Sequence, residues 1–440
     1  MTNDPQSRQA KISALRQYIH ANALGMCREA GGGLPRPFLA PGSEQYKDVL
    51  WDWDCWLSNV ALRQIVRENP EACPTEKLEP AERGCILNYL HYTGIDGFMP
   101  IVMGRNHSGK KPEDVTATNM HKPCIAQHAA FLAQQQNDVS WLREGFYPIQ
   151  NFLNHYRNHR RHACGLYFWT DDNAIGVDND PCTFGRPAKS SGSIYLNCLM
   201  VRELEAAAWI ADALNLEAIG DHYRQDRDAL VAAIREHCWD EWTGFYYSVD
   251  LNIGGPEHLK PWPREWGHGW GKHYGQPCDW PCLIQRIGVW SGFLALWAGV
   301  ATREQAERIV AEHYRNDRTF RCEAGIRTLS KLEKMFNVRA SGNPSSWLGP
   351  VWGVSNYLTW RGLVDYGFDD DARELADKTI RLFARDHERF GALHEYYLPD
   401  NSEPVLNPGF MNWNFLVLNM LAWQEGREVV REFGAVPGPA

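Results

Sequence analysis

Carboxylate and aromatic side chains are grouped at four places in this sequence of 440 residues, and such groups can perform acid–base chemistry on a sugar. The groups are residues 51–56 (WDWDCW), 171–181 (DDNAIGVDNDP), 345–352 (SSWLGPVW) and 394–399 (HEYYLP). Hydrolysis of a glycosidic bond needs two carboxyl groups that flank the bond. Amphipathic aromatic rings suit the apolar faces and polar rims of sugars. The pattern therefore favours a glycoside-processing site.

Each group also has a simpler structural explanation. Asp52 and Asp54 could cap the start of a helix, and an Asp- and Asn-rich loop is often only a turn. Pro350 could end a turn that leads into an apolar helix. Glu395 differs, because a lone Glu among aromatic residues is expected to be buried with a perturbed pKa, as functional carboxylates often are.

Motifs for several other chemistries are absent from the sequence. It contains no G-x-S-x-G, no H-E-x-x-H and no phosphate-binding G-x-x-x-x-G-K. A calcium loop starting at Asp171 is excluded because Ile175 and Cys182 stand where oxygen ligands are needed. Cys278, Cys282 and His273 lack a second close pair of ligands, so we predict no metal site and no cofactor.

Periodic apolar residues predict twelve helices, which must position these groups. The predicted segments are 8–26, 53–67, 81–93, 123–137, 140–160, 192–216, 218–237, 286–298, 303–314, 350–365, 370–386 and 411–426. Thr302 and Gln305 form a capping box before one of them. Strand signals are few, and the best, residues 244–249, predicts a short hairpin arm.

Twelve helices in one chain predict an all-α fold, an (α/α)6 toroid with six inner and six outer helices, over a single domain, residues 1–440. A multi-domain helical array is the alternative, although no repeat of fixed period is visible. The five long connections are 95–122, 161–191, 238–284, 314–349 and 387–410. Loops this long are usually functional or disordered, and these are too aromatic to be disordered. We expect them to form the walls of a pocket.

The composition excludes several classes of partner. The net charge is −9 with no basic cluster, which argues against nucleic acid. No apolar run reaches 18 residues and no secretory signal is visible, so we predict no membrane span and a cytoplasmic protein. The 19 Trp residues are compatible with a small carbohydrate substrate or simply with a large core. The oligomeric state is not predicted.

Seven segments together resemble the trehalase and glycoside hydrolase family 63 group. Residues 53–62 resemble its W-D-x-x-F segment, residues 97–100 its G-x-I-P turn, and residues 121–123 its Q-P-P. Residues 176–179 (GVDN) resemble the end of E-S-G-M-D-N, and residues 347–357 resemble W-R-G-P-V-W-x-x-x-N-Y. Residues 395–399 (EYYLP) resemble E-Y-Y-x-P, and residues 410–413 resemble the F-x-W that follows it.

The resemblance implies a reaction and a set of site residues. It implies an inverting hydrolase of a small α-glucoside, with Asp178 as general acid and Glu395 as general base. The closed pocket expected from the long loops predicts that the enzyme is exo-acting. The substrate-binding residues implied are Trp53, Asp54, Lys122, Asn179, Trp352, Asn356, Tyr396 and Trp413. A sugar-binding protein or a sugar epimerase on the same fold is the alternative, because fold alone does not decide function.

Three departures from the group's motifs bear on the substrate. Ala174 and Ile175 replace a Glu-Ser pair, Leu348 replaces an Arg, and His121-Lys122 replaces Gln-Pro. The sequence therefore does not choose between glucose and mannose or among aglycones. Arg105, Lys110, Lys122 and Arg186 are candidates to meet an acidic or hydroxyl-rich aglycone, although surface cations are equally common in loops.

Overall fold

Helices make up most of the regular structure in the computed structural model, which describes residues 5–108, 118–253, 280–339 and 343–434. The α-helices of these residues are α1 (Pro5–Asn22), α2 (Ser43–Tyr46), α3 (Asp52–Glu68), α4 (Thr75–His91), α5 (Ile125–Gln136), α6 (Leu142–His159), α7 (Ile194–Ala213), α8 (Glu217–His237), α9 (Leu294–Trp297), α10 (Arg303–Arg308), α11 (Gly353–Asp365), α12 (Asp369–Phe390) and α13 (Val417–Gln424). Short 3₁₀ turns at Ala23–Met26, Trp290–Phe293 and Asn412–Leu416 and a π-helical turn at Ile309–Tyr314 adjoin some of them.

The twelve predicted helices are confirmed, with two differences in their limits. Helix α4 begins at Thr75, before the predicted residue 81, and carries Pro80 inside it. The predicted helix 286–298 is regular only from Trp290 onward. Val289 instead forms a β-bridge with Leu329, so a neighbouring segment takes the hydrogen bonds that a helix would have used.

Local signals at residues 239–305 are also confirmed. The Thr302 side chain accepts from the backbone of Gln305 at 3.3 Å, and Gln305 accepts from the backbone N–H of Thr302 at 2.9 Å. Strand β7 (Phe245–Tyr246) pairs with β6 (Trp239–Asp240) in a hairpin. Gly244 has a φ of +64° in the connecting turn, a conformation that favours glycine.

Six helical segments form a closed series of contacts. Helix α3 contacts α5, α5 contacts α7, α7 contacts α9 and α9 contacts α11. Helix α11 contacts α13 and the 3₁₀ turn before it, and both of these return to α3. Helices α4 and α6 pack against α5, α8 packs against α7, α12 packs against α11 and α13, and α1 packs against α12. These last helices therefore form a second set, which packs against the helices of the closed series.

Burial separates the two sets of helices. Helix α7 is buried along most of its length, whereas α12 buries one face and exposes the other. Glu203 on α7 is buried and accepts from the backbone N–H groups of Ala126 (2.8 Å) and Gln127 (3.1 Å). These N–H groups belong to the first turn of α5, where they have no partner within the helix. Glu203 thus joins two helices of the closed series.

The strands are two or three residues long and pair antiparallel in small sheets. The remaining strands are β1 (Cys27–Arg28), β2 (Phe38–Leu39), β3 (Val49–Trp51), β4 (Val102–Gly104), β5 (Ser191–Gly192), β8 (Val249–Asp250), β9 (Leu283–Ile284), β10 (Arg321–Cys322), β11 (Gly325–Ile326), β12 (Val351–Trp352), β13 (Tyr396–Tyr397) and β14 (Pro404–Val405). The sheets are β1–β2, β3–β4, β5–β8–β9, β6–β7, β10–β11 and β12–β13–β14. In the last, Trp352 pairs with Tyr396, which brings residues 345–352 and 394–399 together.

None of the helices in the described residues combines the length and the apolar composition of a membrane span. The same residues contain no cluster of three or more His, Cys, Asp and Glu side chains placed to hold a metal ion.

Candidate active site

All four predicted groups contribute to one cavity of about 570 Å³. It is lined by Tyr46, Trp51, Trp53, Asp54, Lys122, Asp171, Asp172, Asn173, Ala174, Gly176, Asp178, Thr183, Phe184, Gly185, Arg186, Asn343, Ser345, Trp347, Trp352, Glu395, Phe410 and Trp413. The volume falls within the usual range for a small-molecule site. Several of the predicted long loops supply these walls, as expected.

Asp178 lies on the loop between α6 and α7. Gly176, two residues earlier, has a φ of +90°, and a Cβ there would come within 2.6 Å of the Lys122 side chain. The glycine therefore lets the loop pass closely over the cavity floor. The Asp178 carboxylate accepts a hydrogen bond from Asn343 at 3.2 Å. Burial raises the pKa of Asp178, although the hydrogen bond from Asn343 and the charge of Lys122 oppose this.

Glu395 immediately precedes β13 and is 3% exposed. It accepts hydrogen bonds from the Tyr46 hydroxyl at 3.3 Å and from the Asn407 amide. Burial raises the pKa of Glu395 to about 7, the hydrogen-bond donors oppose the rise, and the charge of Asp178 adds to it. The two carboxyl groups are therefore close enough to influence each other's ionisation.

A third carboxyl group, Asp54, lies in the first turn of α3. It accepts a hydrogen bond from the Asn412 amide, whose oxygen in turn accepts from Ser58 at 3.0 Å. Burial raises the pKa of Asp54 to about 8, the charge of Lys122 lowers it, and the charges of Asp52 and Glu395 raise it. Asp54 does not cap the helix, since it lies within the helix and its carboxylate binds a side-chain amide.

Lys122 and Asp52 form a buried ion pair beside the cavity. The Lys122 ammonium donates to Asp52 at 2.7 Å, and the Lys122 backbone N–H donates to the other carboxylate oxygen at 2.8 Å. The side chains of Lys122 and Asp52 are 1% and 0% exposed. The ammonium also lies 5.5 Å from the centroid of the Trp53 ring. The ion pair therefore holds in place Lys122, the residue that replaces the first Pro of the group's Q-P-P motif.

Aromatic rings form much of the cavity wall. The rings of Trp347 and Trp352 stack with centroids 4.4 Å apart and an angle of 11°, and Tyr396 stacks on Trp352 at 4.9 Å. Trp53 and Trp413 meet edge to face at 5.2 Å. Tyr396 does not itself line the cavity; its hydroxyl donates to the Pro344 carbonyl at 2.7 Å. It therefore orients Trp352 from behind.

Like Tyr396, two further residues predicted to bind substrate lie outside the cavity lining. The Asn179 oxygen accepts from the Trp347 backbone N–H at 3.0 Å, which couples the loop of Asp178 to the aromatic wall. Asn356 is fully buried, donates to Ala324 and Thr379 at 3.0 Å each, and accepts from Ile326 at 3.1 Å. These contacts pack Asn356 against β11 and do not reach the cavity.

Several residues of the site were not selected from the sequence. They are Tyr46, Asp172, Asn343, Asn407 and Trp347, of which Asn407 contacts Glu395 without lining the cavity. Asp172 accepts from the Asn179 backbone at 2.7 Å through one oxygen, while the other is buried without a partner. Burial and the charge of Asp180 raise the pKa of Asp172 to about 8. Trp347 and Asp172 lay inside recognised segments, but nothing local marked Tyr46 or Asn407.

Some of the residues that depart from the group's motifs line the cavity, and others lie outside its lining. Leu348 packs with Cys182, Val289 and Leu329 in a small apolar cluster outside the cavity lining. His121 is buried, hydrogen-bonds to the Lys122 carbonyl at 2.6 Å, and has its pKa lowered by burial to about 4. Among the substituted positions that the structure describes, Lys122 and Ala174 line the cavity.

The four basic residues proposed to meet the aglycone also differ in whether they line the cavity. Arg186 lines the cavity and pairs with Asp250 on β8. Arg105 pairs with Asp48 at 3.3 Å outside the cavity, and Lys110 lies outside the described residues. Among the cavity-lining residues that the structure describes, Lys122 and Arg186 are the basic side chains, and each has an acidic partner.

The chain is similar to known proteins in sequence and in fold. Residues 50–414 match the family described as mannosylglycerate hydrolase MGH1-like glycoside hydrolase domain. The fold is similar to the GH63 mannosylglycerate hydrolase of Thermus thermophilus, solved with glucose, with a TM-score of 0.65, 18% identity and coverage of 93% of this chain and 98% of that one. It is also similar to the neutral trehalase of Saccharomyces cerevisiae, with a TM-score of 0.60, 14% identity and coverage of 92% and 79%.

A curated relative, the probable trehalase of Eremothecium gossypii, is 24% identical over 204 residues. The match covers 44% of this chain and 23% of that protein, so the chain spans about a quarter of its curated relative. Because the family model covers most of the sequence, the chain belongs to the MGH1-like glycoside hydrolase family. Its glycoside hydrolase domain is related to those of the trehalases and of glycoside hydrolase family 63.

Proposed function

We propose that this protein hydrolyses a small α-glucoside with inversion at the anomeric carbon. The observation that carries the proposal is that Asp178 and Glu395 face one aromatic-walled cavity and influence each other's ionisation. An inverting hydrolase needs one protonated carboxyl group and one ionised carboxylate on opposite sides of the bond.

Asp178 is the general acid. Burial favours its neutral form, which can donate a proton to the glycosidic oxygen as the bond to the anomeric carbon breaks. The Asn343 amide donates to this carboxyl group and so favours the ionised form, but burial has the larger effect on the pKa.

Glu395 is the general base. Tyr46 and Asn407 donate hydrogen bonds to its carboxylate, and such donors favour the ionised form. Ionised Glu395 takes a proton from a water molecule, which attacks the anomeric carbon on the face opposite the leaving group. When Asp178 is neutral, its charge no longer opposes ionisation of Glu395, so the two roles support each other.

The other predicted residues hold the sugar. Asp54 lies near both Glu395 and Lys122 and would accept hydrogen bonds from hydroxyl groups. Trp53, Trp352 and Trp413 would pack on the ring faces, with Tyr396 and Asn179 supporting the wall from behind. Lys122 would orient Asp54 by its charge. Neither a metal nor an organic cofactor takes part in these steps.

The scaffold we propose is one (α/α)6 toroid over residues 1–440. The closed contacts of α3, α5, α7, α9, α11 and α13 support an inner ring of six helices, and the helices packed on them support an outer ring. One continuous apolar core runs from Ile12 to Phe433, which supports a single domain. The cavity would occupy one mouth of this toroid.

Mannosylglycerate and trehalose, the substrates in the relatives' names, are the first compounds to test, together with glucosylglycerate. The walled cavity, small enough for a disaccharide, supports action on a terminal sugar. An epimerase usually needs bases, commonly His, on both sides of a carbon; the cavity residues that the structure describes include no His. The carboxyl groups of Asp178 and Glu395 in this cavity therefore favour hydrolysis over epimerisation or sugar binding without catalysis.

The test is a hydrolysis screen followed by proton NMR of the first product. Trehalose, other α-linked disaccharides and the two glycosyl-glycerates would be compared for release of the free sugar. We expect β-glucose from an α-glucoside during the first minutes, before mutarotation mixes the anomers. An initial α-anomer would refute inversion, and binding without hydrolysis of any compound would favour the sugar-binding alternative.

A further inference from the structure

A buried carboxyl group outside the cavity lining binds the chain segment that carries Glu395. Asp386 lies in the last turns of α12, and its side chain is 1% exposed. One of its oxygens accepts from the Tyr397 hydroxyl at 2.7 Å and from the His394 backbone N–H at 3.0 Å. His394 immediately precedes Glu395, and Tyr397 follows it by two residues. The carboxyl group is therefore bound to the chain on both sides of Glu395.

The imidazole of His394 makes a further contact with the same carboxyl group. Its Nδ1 lies 3.0 Å from each oxygen of Asp386. Because an ionised carboxylate has only acceptor atoms, Nδ1 carries a proton and donates it. The Phe390 ring packs edge to face against the imidazole, with the centroids 5.3 Å apart. Two residues on successive turns of α12 thus hold the imidazole.

The peptide group that joins His394 to Glu395 is held from two further directions. The Asn414 amide donates to the His394 carbonyl at 2.7 Å, and Asn414 directly follows Trp413, which lines the cavity. The Glu395 backbone N–H donates to the Leu406 carbonyl at 3.1 Å. Rotation of this peptide group would move the Glu395 side chain. These contacts therefore limit where its carboxylate can lie in the cavity.

The burial of Asp386 indicates what its charge does. A carboxylate is costly to bury unless hydrogen-bond donors satisfy it. The donors described above all come from His394 and Tyr397. An apolar residue at position 386 would avoid the cost of burial but would remove the acceptor that these donors share. The carboxylate therefore acts on the segment of Glu395.

We propose that Asp386 and His394 are positioning residues for the base Glu395, an inference that rests on the proposed function. Neither residue lines the cavity, so both act through the backbone next to Glu395. Their contacts hold the carboxylate where the water that it activates can attack the anomeric carbon. A displacement of about 1 Å at such a group can lower the rate about 10²-fold. Loss of the contacts should lower kcat and leave KM nearly unchanged, because the residues proposed to hold the sugar are not altered.

The first test compares two buried carboxyl groups of the same helix. Asp371, also on α12, accepts from Arg315 at 2.9 and 2.7 Å and does not contact the segment of Glu395. Asp371→Asn and Asp386→Asn should both lower the midpoint of thermal unfolding. Only Asp386→Asn should lower kcat, by about 10- to 100-fold, with KM within about twofold of wild type. The substrate is the α-glucoside that the wild-type protein hydrolyses fastest.

The second test asks whether the position of the imidazole donor matters. In His394→Asn the amide nitrogen takes the place of Nδ1, so the donor to Asp386 remains. In His394→Gln the amide nitrogen lies near the place of Nε2, so the donor is displaced. His394→Asn should keep most of kcat, and His394→Gln should lose about tenfold. Equal losses in the two variants would show that His394 does not act through this hydrogen bond.

The third test needs no activity and follows hydrogen–deuterium exchange by mass spectrometry of the peptide that contains His394. Exchange of its backbone N–H should be about tenfold faster in Asp386→Asn than in wild type, and unchanged in Asp371→Asn. Unchanged exchange in Asp386→Asn, or equal kcat in the two Asp variants, would overturn the positioning role. Wild-type protein that hydrolyses no glycoside would instead refute the proposed function, and the exchange rates would still decide whether Asp386 holds the segment.

Discussion

The carboxyl groups of Asp178 and Glu395 meet across one cavity although they come from opposite halves of the chain, and the charge of Asp178 raises the pKa of Glu395. The repulsion between two nearby negative charges favours the state in which one of the two groups keeps its proton. Donors from Tyr46 and Asn407 favour the charge on Glu395 in that state. The singly protonated pair is the form that inverting hydrolysis requires.

Asp178→Asn should keep the fold and lower kcat by about 10²- to 10⁴-fold, the usual contribution of a general acid. A substrate with an activated leaving group should lose much less, because its departure needs little protonation. Steady-state kinetics on both substrates measures this. Asp180→Asn is the control, since Asp180 accepts from the Cys182 backbone outside the cavity and should leave kcat near wild type. Wild-type activity of Asp178→Asn would remove Asp178 from the mechanism.

Asn407→Ala should move the acidic limb of the kcat/KM profile to higher pH. Burial raises the pKa of Glu395 to about 7, so activity should rise as pH passes that value and the base ionises. Asn407 donates to the carboxylate and holds this pKa down. Its removal should therefore raise the pKa, which a pH–rate profile of the free enzyme detects.

Asn401→Ala is the matched control for that profile, because Asn401 lies in the same connection but hydrogen-bonds to the Glu403 backbone. Its acidic limb should coincide with wild type. A shift of equal size in both variants, or a shift of Asn407→Ala to lower pH, would contradict the role given to Asn407.

Lys122→Met should lower the free energy of unfolding by about 3–5 kcal/mol, because it leaves the Asp52 charge buried without its partner. Adding Asp52→Asn should recover most of the loss, since the uncompensated charge is then gone. Urea unfolding measures both. In Lys11→Met, an exposed ion pair with Glu388 is lost instead, at a cost of no more than about 1 kcal/mol. Equal losses for Lys122→Met and Lys11→Met would mean that water reaches the Asp52 site.

Arg186→Ala should raise KM about tenfold for the preferred aglycone, the effect of losing one charge-assisted hydrogen bond of about 1.5 kcal/mol. Arg186 lines the cavity, where Asp250 holds its guanidinium, and it is therefore a basic side chain that an aglycone could contact. Arg105→Ala, at a cation outside the cavity, is the control and should leave KM unchanged. The measurement is KM for several α-glucosides that differ in the aglycone. An equal increase in KM for all of them would show that Arg186 does not contribute to recognition of the aglycone.

The sequence was sufficient to predict the helices. Apolar periodicity and caps act within a few residues, so the twelve segments and the Thr302 capping box could be identified from local pattern. The start of α4 was missed because Pro80 suggests a helix boundary, whereas the structure accommodates it within the helix.

The sequence by itself also identified residue types suited to the chemistry, since Asp178, Glu395, Asp54 and Lys122 all line the cavity. Only the tertiary structure decided their partners: Asn407 and Tyr46 for Glu395, Asn343 for Asp178, and Asp52 for Lys122. It also showed that Asn356 packs against β11, where its amide oxygen accepts from the Ile326 backbone N–H. Tyr46 and Glu395 are far apart in the sequence and come into contact only in the folded protein. Such a contact depends on the packing of the whole chain and not on local propensity, so the sequence pattern does not reveal it.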